Sequence, residues 1–279
     1  MNETYITTEL LAQYAHKLYE EEKSSATIEK YIRDVRTFSK YAGSQALTKD
    51  LTIAYKRDLP TRGYTILSVN SMLASLNSFL VFCGRADCKV KLYRVQKKTY
   101  LAANRELSKA EYQRLLYAAR KDQRLWLLLQ TLCATGIRVS ELQYFTVEAV
   151  RAGEISVACK SKTRSILIPR GLQNILLQYV RSARIESGHI FRTRTGKPMN
   201  RSNIWSDMKR LCAQANVNPD KVFPHNLRKL FARTFYRMEK DIAKLADILG
   251  HSSINTTRIY IMSTGTEHLH QMEKLGLLA

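Results

Sequence analysis

Apolar residues return every three or four positions along most of this chain, the spacing of one face of an α-helix. Residues 7 to 22 and 25 to 42 follow it, the second with Ile28, Tyr31, Ile32, Val35 and Phe38 on one side, Ser25 as starting cap and Gly43 as stop. The spacing predicts a third helix near 48 to 58 and a fourth over 66 to 82, from Val69, Met72, Leu73, Leu76, Phe79 and Leu80. From Gly84 to Glu106 the periodicity fades while Lys and Arg gather among tyrosines, the composition of a basic linker. "SKAE" at 108 to 111 then reads as a capping box that opens a second series of helices. In that series "LWLLLQTLCA" is a buried helix stopped at Gly136, and another helix starts after Pro224. An Asp241-capped helix carries Ile242, Leu245, Ile248 and Leu249 to a stop at Gly250. A short helix capped by Ser252 or Ser253 then carries Ile254, Arg258, Ile259 and Tyr260.

One stretch breaks the helical rhythm. In "EISVACKSKTRSILIP", residues 154 to 169, Ile155 and Val157 alternate with polar residues before a polar turn and "SILIP", which predicts a β-hairpin with a basic tip. After Tyr260, Leu269, Met272, Leu275 and Leu277 have the spacing of a tail helix. The expected architecture is mainly α: a four-helix domain at 1–88, a basic linker at 89–104, and a mostly helical domain with a small β-hairpin at 105–279.

Charge narrows the partners. The 279 residues include 45 Lys+Arg against 24 Asp+Glu, a net charge of +21, which favours a polyanion and nucleic acid first. Membrane association has no support: the longest apolar run falls well short of the ~20 residues that span a bilayer, and no basic amphipathic terminal helix is evident. The N-terminus lacks a secretory pattern, and Cys83, Cys88, Cys133, Cys159 and Cys212 form no paired framework, so a reducing cytoplasm is expected. Cys83 and Cys88 have no second Cys/His pair nearby to complete a zinc site.

Candidate chemistry sits at helix ends. "ATGIRVSELQYF" presents Arg138 just after a helix stop, with Glu141 one turn later to orient its guanidinium. "FPHNLRKLFARTFY" places His225 and Arg228 at i and i+3 on one helix face. "LADILGHSSINTTRIY" fixes His251 at a helix end and puts Tyr260 on the next helix. Alone, each has a plain structural explanation, such as a core tyrosine beside a capping histidine. Together, two arginines, two histidines, a hairpin lysine and a tyrosine suit phosphoryl transfer on a phosphodiester without a metal. Guanidinium groups neutralise the developing charge, tyrosine attacks, and an acid protonates the leaving alkoxide.

The four boxes, in this order and at these separations, resemble the catalytic boxes of the tyrosine recombinases of the phage integrase family, in a two-domain layout like the Xer or integron-type enzymes. The resemblance implies that the N-terminal helices form a core-binding, SAM-like domain. It makes Arg138 and Arg228 phosphate clamps, Tyr260 the nucleophile, His225 the proton acceptor, His251 a second phosphate ligand and a hairpin lysine the general acid. Counting forward from Arg138 favours Lys160; Lys162, on the alternate face, stays open. The implied reaction is attack by Tyr260 on a DNA phosphate, giving a 3′-phosphotyrosyl link that a 5′-hydroxyl reverses, for integration, excision or resolution. No cofactor, nucleotide or metal is implied. Implied partners are double-stranded DNA and a homotetramer on two DNA sites, the chain being a monomer in free solution, with accessory DNA-bending or directionality factors as further candidates. The expected place is the cytoplasm, at the nucleoid, with no membrane. Two features depart from the family pattern: Lys229 and Leu230 follow Arg228 where histidine and threonine are usual, and the hairpin tip lacks a glycine-lysine-glycine stretch. The competing functions are a non-catalytic DNA-binding protein on the same fold and a type IB topoisomerase.

Overall fold

A computed structural model of the chain describes residues 5–96, 106–159, 162–262, 269–270 and 272–276. It divides into an N-terminal unit, residues 1–97, and a C-terminal unit, residues 98–279. The N-terminal unit consists of α1 (Thr8–Glu20), α2 (Ser25–Ala42), α3 (Lys49–Thr61) and α4 (Ile66–Phe82). Each helix begins on a hydroxyl side chain, of Thr7, Ser24, Thr48 and Thr65 in turn, which accepts a hydrogen bond from a backbone N–H three residues on. The cap of α2 is therefore Ser24 and not Ser25, because the residue with extended backbone directly before the helix is the one whose oxygen can reach back. Tyr14, Val35, Phe38, Leu59, Leu73 and Phe79 fill the interior. Fully burying a side chain of this kind contributes about 1.5–3 kcal/mol.

α3 runs three residues past its expected end and includes Pro60 in its last turn. A proline there has no N–H for the carbonyl four residues back. That carbonyl, of Lys56, instead accepts from the Tyr93 hydroxyl at 3.2 Å. Tyr93 belongs to the first part of the expected basic linker, which packs on α4. Asn77 exchanges two hydrogen bonds with the backbone of Val90 (2.8 and 2.9 Å), and Asn70 does the same with Tyr93 (both 2.8 Å). Residues 97–104 of that linker, with 105, lie outside the described residues.

The C-terminal unit opens on α5 (Lys109–Ala118), where Ser108 and Glu111 form the expected capping box. It continues with α6 (Gln123–Thr135), a 3-10 turn over Val139–Tyr144, and α7 (Val147–Ala152). The hairpin is β1 (Glu154–Cys159) and β2 (Lys162–Leu167), antiparallel, with Ile155 opposite Ile166 and Val157 opposite Arg164. Then follow α8 (Arg170–Ser182), α9 (Arg201–Ala215), α10 (Pro224–Glu239), α11 (Ile242–Leu249) and α12 (Ile254–Ile261). Leu127, Leu128 and Leu132 of α6 are buried among residues of α5, α7, α8, α9 and both strands. Such burial on most sides explains why α6 reads as a nearly continuous apolar run. A smaller cluster gathers Ala232, Leu245, Leu249 and Tyr260 where α10, α11 and α12 meet. No helix among the described residues is long and apolar enough to cross a membrane.

Candidate active site

Two left-handed glycines set the geometry. Gly136 ends α6 at φ +61°, and a Cβ there would run into the ring of Phe231 on α10. A side chain at this position would thus cost both backbone strain and helix packing. The turn delivers Arg138 to the protein surface, and the Gly136 carbonyl accepts from Nη1 of Arg228. Gly250 ends α11 at φ +62°, where a Cβ would stand 2.5 Å from Cδ of Arg164.

The C-terminal end of α11 gathers three arginines. Its carbonyls, left without helical partners and lying at the negative end of the helix dipole, accept one guanidinium each. Ile248 O accepts from Arg164 Nη1 (3.1 Å), Leu249 O from Arg228 Nη2 (2.7 Å) and Gly250 O from Arg138 Nη2 (3.2 Å). One buried carboxylate, Glu141, stands between two of these cations: Oε1 accepts from Arg138 Nη1 at 3.1 Å and Oε2 from Arg164 Nη2 at 2.7 Å. Oε2 also accepts from the Arg138 backbone N–H at 2.7 Å, which closes the 3-10 turn.

Arg228 is 1% exposed and donates to two carbonyls and an imidazole. Burial first, then the nearby Arg138 cation, pushes its pKa down to about 10, still charged at neutral pH. Its Nη2 lies 2.9 Å from His251 Nε2. A guanidinium can only donate, so this nitrogen is the acceptor and Nδ1 holds the proton. Nδ1 in turn donates to Thr257 Oγ1 at 2.9 Å. Burial and then the three arginines lower the His251 pKa to about 4, keeping it neutral.

Tyr260, in the last turn of α12, is 9% exposed and its ring sits between two imidazoles. Centroid separations are 5.0 Å to His225 and 4.9 Å to His251, and Arg228 Cζ lies 5.8 Å from the ring centre. His225 comes from the first turn of α10, whose start is fixed by Pro224 at a position where no N–H is needed. Burial, then the Lys229 and Arg228 cations, lowers its pKa below 6.5, opposed by Glu106. A cleft of about 680 Å³ opens beside His225 and Arg228, lined also by Arg138, Asn200, Arg201 and Trp205. The arrangement sets two imidazoles and the buried Arg228 against one phenol, with Arg138 and Arg164 held at the same helix end and open space beside His225 and Arg228.

Residues 105–267 match the model of the phage integrase family, and residues 11–86 that of the phage integrase N-terminal SAM-like domain. The chain belongs to the phage integrase family. It is a tyrosine recombinase, an enzyme that cleaves and rejoins DNA at specific sites through the family's 3′-phosphotyrosyl intermediate. It is 28% identical to tyrosine recombinase XerA of Pyrococcus furiosus over 100% of this chain and 98% of the relative. It is 27% identical to tyrosine recombinase XerD of Halalkalibacterium halodurans over 92% and 93% of the two chains. Its fold is similar to that of a lambda integrase tetramer bound to a Holliday junction, with a TM-score of 0.75 at 16% identity over 93% of this chain and 78% of that one. It is also similar to XerH site-specific recombinase bound to its difH substrate, with a TM-score of 0.69 at 18% identity over 98% and 85%.

Of the residues singled out in this recombinase from sequence, the structure brings Arg138, His225, Arg228, His251 and Tyr260 into one neighbourhood. Lys160 lies outside the described residues; the alternative, Lys162, begins β2 with its backbone paired to Cys159. Of the two candidate caps for α12, Ser253 accepts the bond, from Asn255 N. Sequence reasoning missed Arg164 and Thr257. Strand alternation held a signal for the first, since Arg164 shares the parity of buried Ile166 and stands opposite buried Val157. Thr257 had no such signal, because its role depends on where His251 comes to rest.

Proposed function

We propose that this recombinase cleaves duplex DNA with Tyr260 as nucleophile, Arg138 and Arg228 as phosphate clamps and His225 as acceptor of the phenolic proton. The single observation that carries the reading is the Tyr260 ring lying between two imidazoles, beside a buried arginine that donates to two carbonyls and an imidazole and makes no ion pair among the described residues. A buried cation with no carboxylate in direct contact among the described residues is costly, and a phosphate arriving in the adjacent cleft relieves that cost. His225 is suited to its role because its surroundings favour the neutral, proton-accepting form. His251 is the second phosphate ligand in this reading. To donate to a phosphate oxygen its Nε2 must gain a proton, so Arg228 turns to the phosphate while Thr257 Oγ1 becomes the donor to Nδ1. Lys160, with Lys162 as the alternative, protonates the leaving 5′-oxygen. Attack forms the bond from Tyr260 Oη to phosphorus and breaks the bond from phosphorus to the 5′-oxygen. Bond energy is conserved in the phosphotyrosine.

The reading includes a domain plan of core-binding region 1–88, linker 89–104 and catalytic region 105–279. It also includes a homotetramer on two DNA sites, formed from monomers in the cytoplasm at the nucleoid, serving integration, excision or resolution. Two observations support assembly: the lambda integrase neighbour is a tetramer on a junction, and Leu269, Met272 and Leu275 of the tail expose about two thirds of their surfaces. The other tail residues within 263–268, with 271 and 277–279, lie outside the described residues. The test starts from a half-site selected by binding from random duplexes and converted to a nicked suicide substrate. Wild-type protein should form a protease-resistant DNA adduct, and Tyr260→Phe should bind equally but form none. An adduct with the Phe variant, or none with wild type, would overturn the reading.

A further inference from the structure

Arg164 is the one arginine on the end of α11 that the roles above leave unused. We propose that it is a positioning residue for strand cleavage, holding the Glu141 carboxylate so that Arg138 keeps its charge available to the scissile phosphate. The contacts form a closed circuit. Arg138 binds Glu141, Glu141 binds Arg164, Arg164 binds Ile248 O, and two residues on, Gly250 O binds Arg138 again. The circuit joins β2, the 3-10 turn after α6 and the end of α11 that presents His251.

Charge shows why the third arginine matters. Glu141 is 4% exposed, and one carboxylate between two guanidiniums leaves a net positive charge. The Arg138 side chain stays 42% exposed and lines the cleft. With Arg164 removed, Glu141 and Arg138 form a neutral pair. A carboxylate accepts a guanidinium best through two parallel bonds, so the pair draws Arg138 away from Gly250 O and from the cleft. The fold makes room for Arg164 at a cost: Gly250 has no side chain where the Arg164 stem passes, and the arginine occupies an inward-facing strand position opposite Val157.

This inference rests on the recombinase reading with Arg138 as clamp, and a substrate with a neutral scissile group separates the two. Replacing one non-bridging oxygen by methyl, a methylphosphonate, removes the charge that Arg138 serves. On the ordinary phosphodiester suicide substrate, Arg164→Ala should cleave about 10- to 100-fold more slowly at unchanged half-site affinity, the scale of loss from a displaced catalytic group. On the methylphosphonate the loss should shrink to less than about threefold, and Arg138→Ala should show the same selective rescue. The double variant Arg138→Ala/Arg164→Ala should be no slower than Arg138→Ala alone, since both act through one group. Arg164→Lys, which keeps stem and charge but cannot span both acceptors, should be intermediate, and it supplies the measurement if the alanine variant fails to fold. Equal losses on both substrates, or additive losses in the double variant, would overturn the proposal. Rescue by a 5′-bridging sulfur alone would also overturn it, because that result places Arg164 behind the general acid. Wild-type protein that traps no DNA would break the recombinase reading, a different outcome from an unselective Arg164 loss.

Discussion

In the N-terminal unit the buried carboxylate of Asp34 accepts from Lys30 at 2.6 Å and from Ser75 at 2.9 Å, and Lys30 also donates to Ser75 and to the Ser71 carbonyl. Lys30 is the base hydrogen-bonded to this acid, and the exposed Arg33 guanidinium lies 3.9 Å from its other oxygen. Around α11 in the C-terminal unit, Arg138, Arg164 and Arg228 converge with Glu141 as the carboxylate between them, and the histidine among them is held neutral. The first cluster is balanced and holds helices together. The second is left positive, with helix-end carbonyls worth about 0.3–1 kcal/mol per cation in place of full counter-charges. Both are buried polar networks with good geometry. Their charge balance distinguishes a structural network from one built to meet an anion.

The largest effect expected from this difference is on Arg228. Arg228→Ala should slow covalent trapping by about 10²–10³-fold, the usual loss for one pre-organised donor, while half-site binding persists. Asp34→Ala should do the reverse, lowering urea stability by about 2 kcal/mol and leaving cleavage per folded molecule unchanged, since it strands Lys30 rather than touching the site. If both variants lost stability and activity in parallel, the distinction between the networks would fail.

A smaller effect should follow Gly250→Ala. Left-handed backbone and the approach of Arg164 together should cost about 1–3 kcal/mol by chemical denaturation, and cleavage should slow as Arg164 is displaced. The same substitution at Gly63, also left-handed at φ +83° but with open space around it, should cost less. Next, inorganic sulfate should stabilise the protein against heat beyond sodium chloride of equal ionic strength, by about 1.4 kcal/mol at tenfold its dissociation constant. Arg228→Ala should blunt that response, whereas Asp34→Ala should keep it.

The smallest effect is in the pH profile. The neutral form of His225 is the acceptor and its pKa is lowered, so cleavage should hold as pH falls past 6.5 and decline only below it. Lys229→Met removes a cation that depresses this pKa, so the acid limb should move to higher pH. For His251 the folded pKa of about 4 lies below the unfolded value of 6.5, so the unfolded chain binds more protons between them. Stability should therefore fall as pH drops from 6.5 towards 4, and His251→Asn should flatten that fall in a denaturation series.

The sequence by itself determined α1 to α6 and α10 to α12, but not α7, α8 or α9, together with the caps it named to within a residue, the hairpin, the order of the boxes and the identity of five of the residues now seen together. These depend on local rules: apolar spacing, a hydroxyl before a helix, a glycine or proline at its ends. Val69 to Leu80 had to be one helix face, and Gly136 and Gly250 had to be stops, whatever the rest of the chain did. Only the tertiary structure decided that Arg164 joins Arg138 and Arg228, for their acceptors are carbonyls, and every residue has one. It also decided that His251 is neutral with its proton on Nδ1, because that depends on the desolvation and the cations that α6, β2 and α10 bring to it. Burial and electrostatic balance are sums over segments far apart in sequence, and no local pattern contains them.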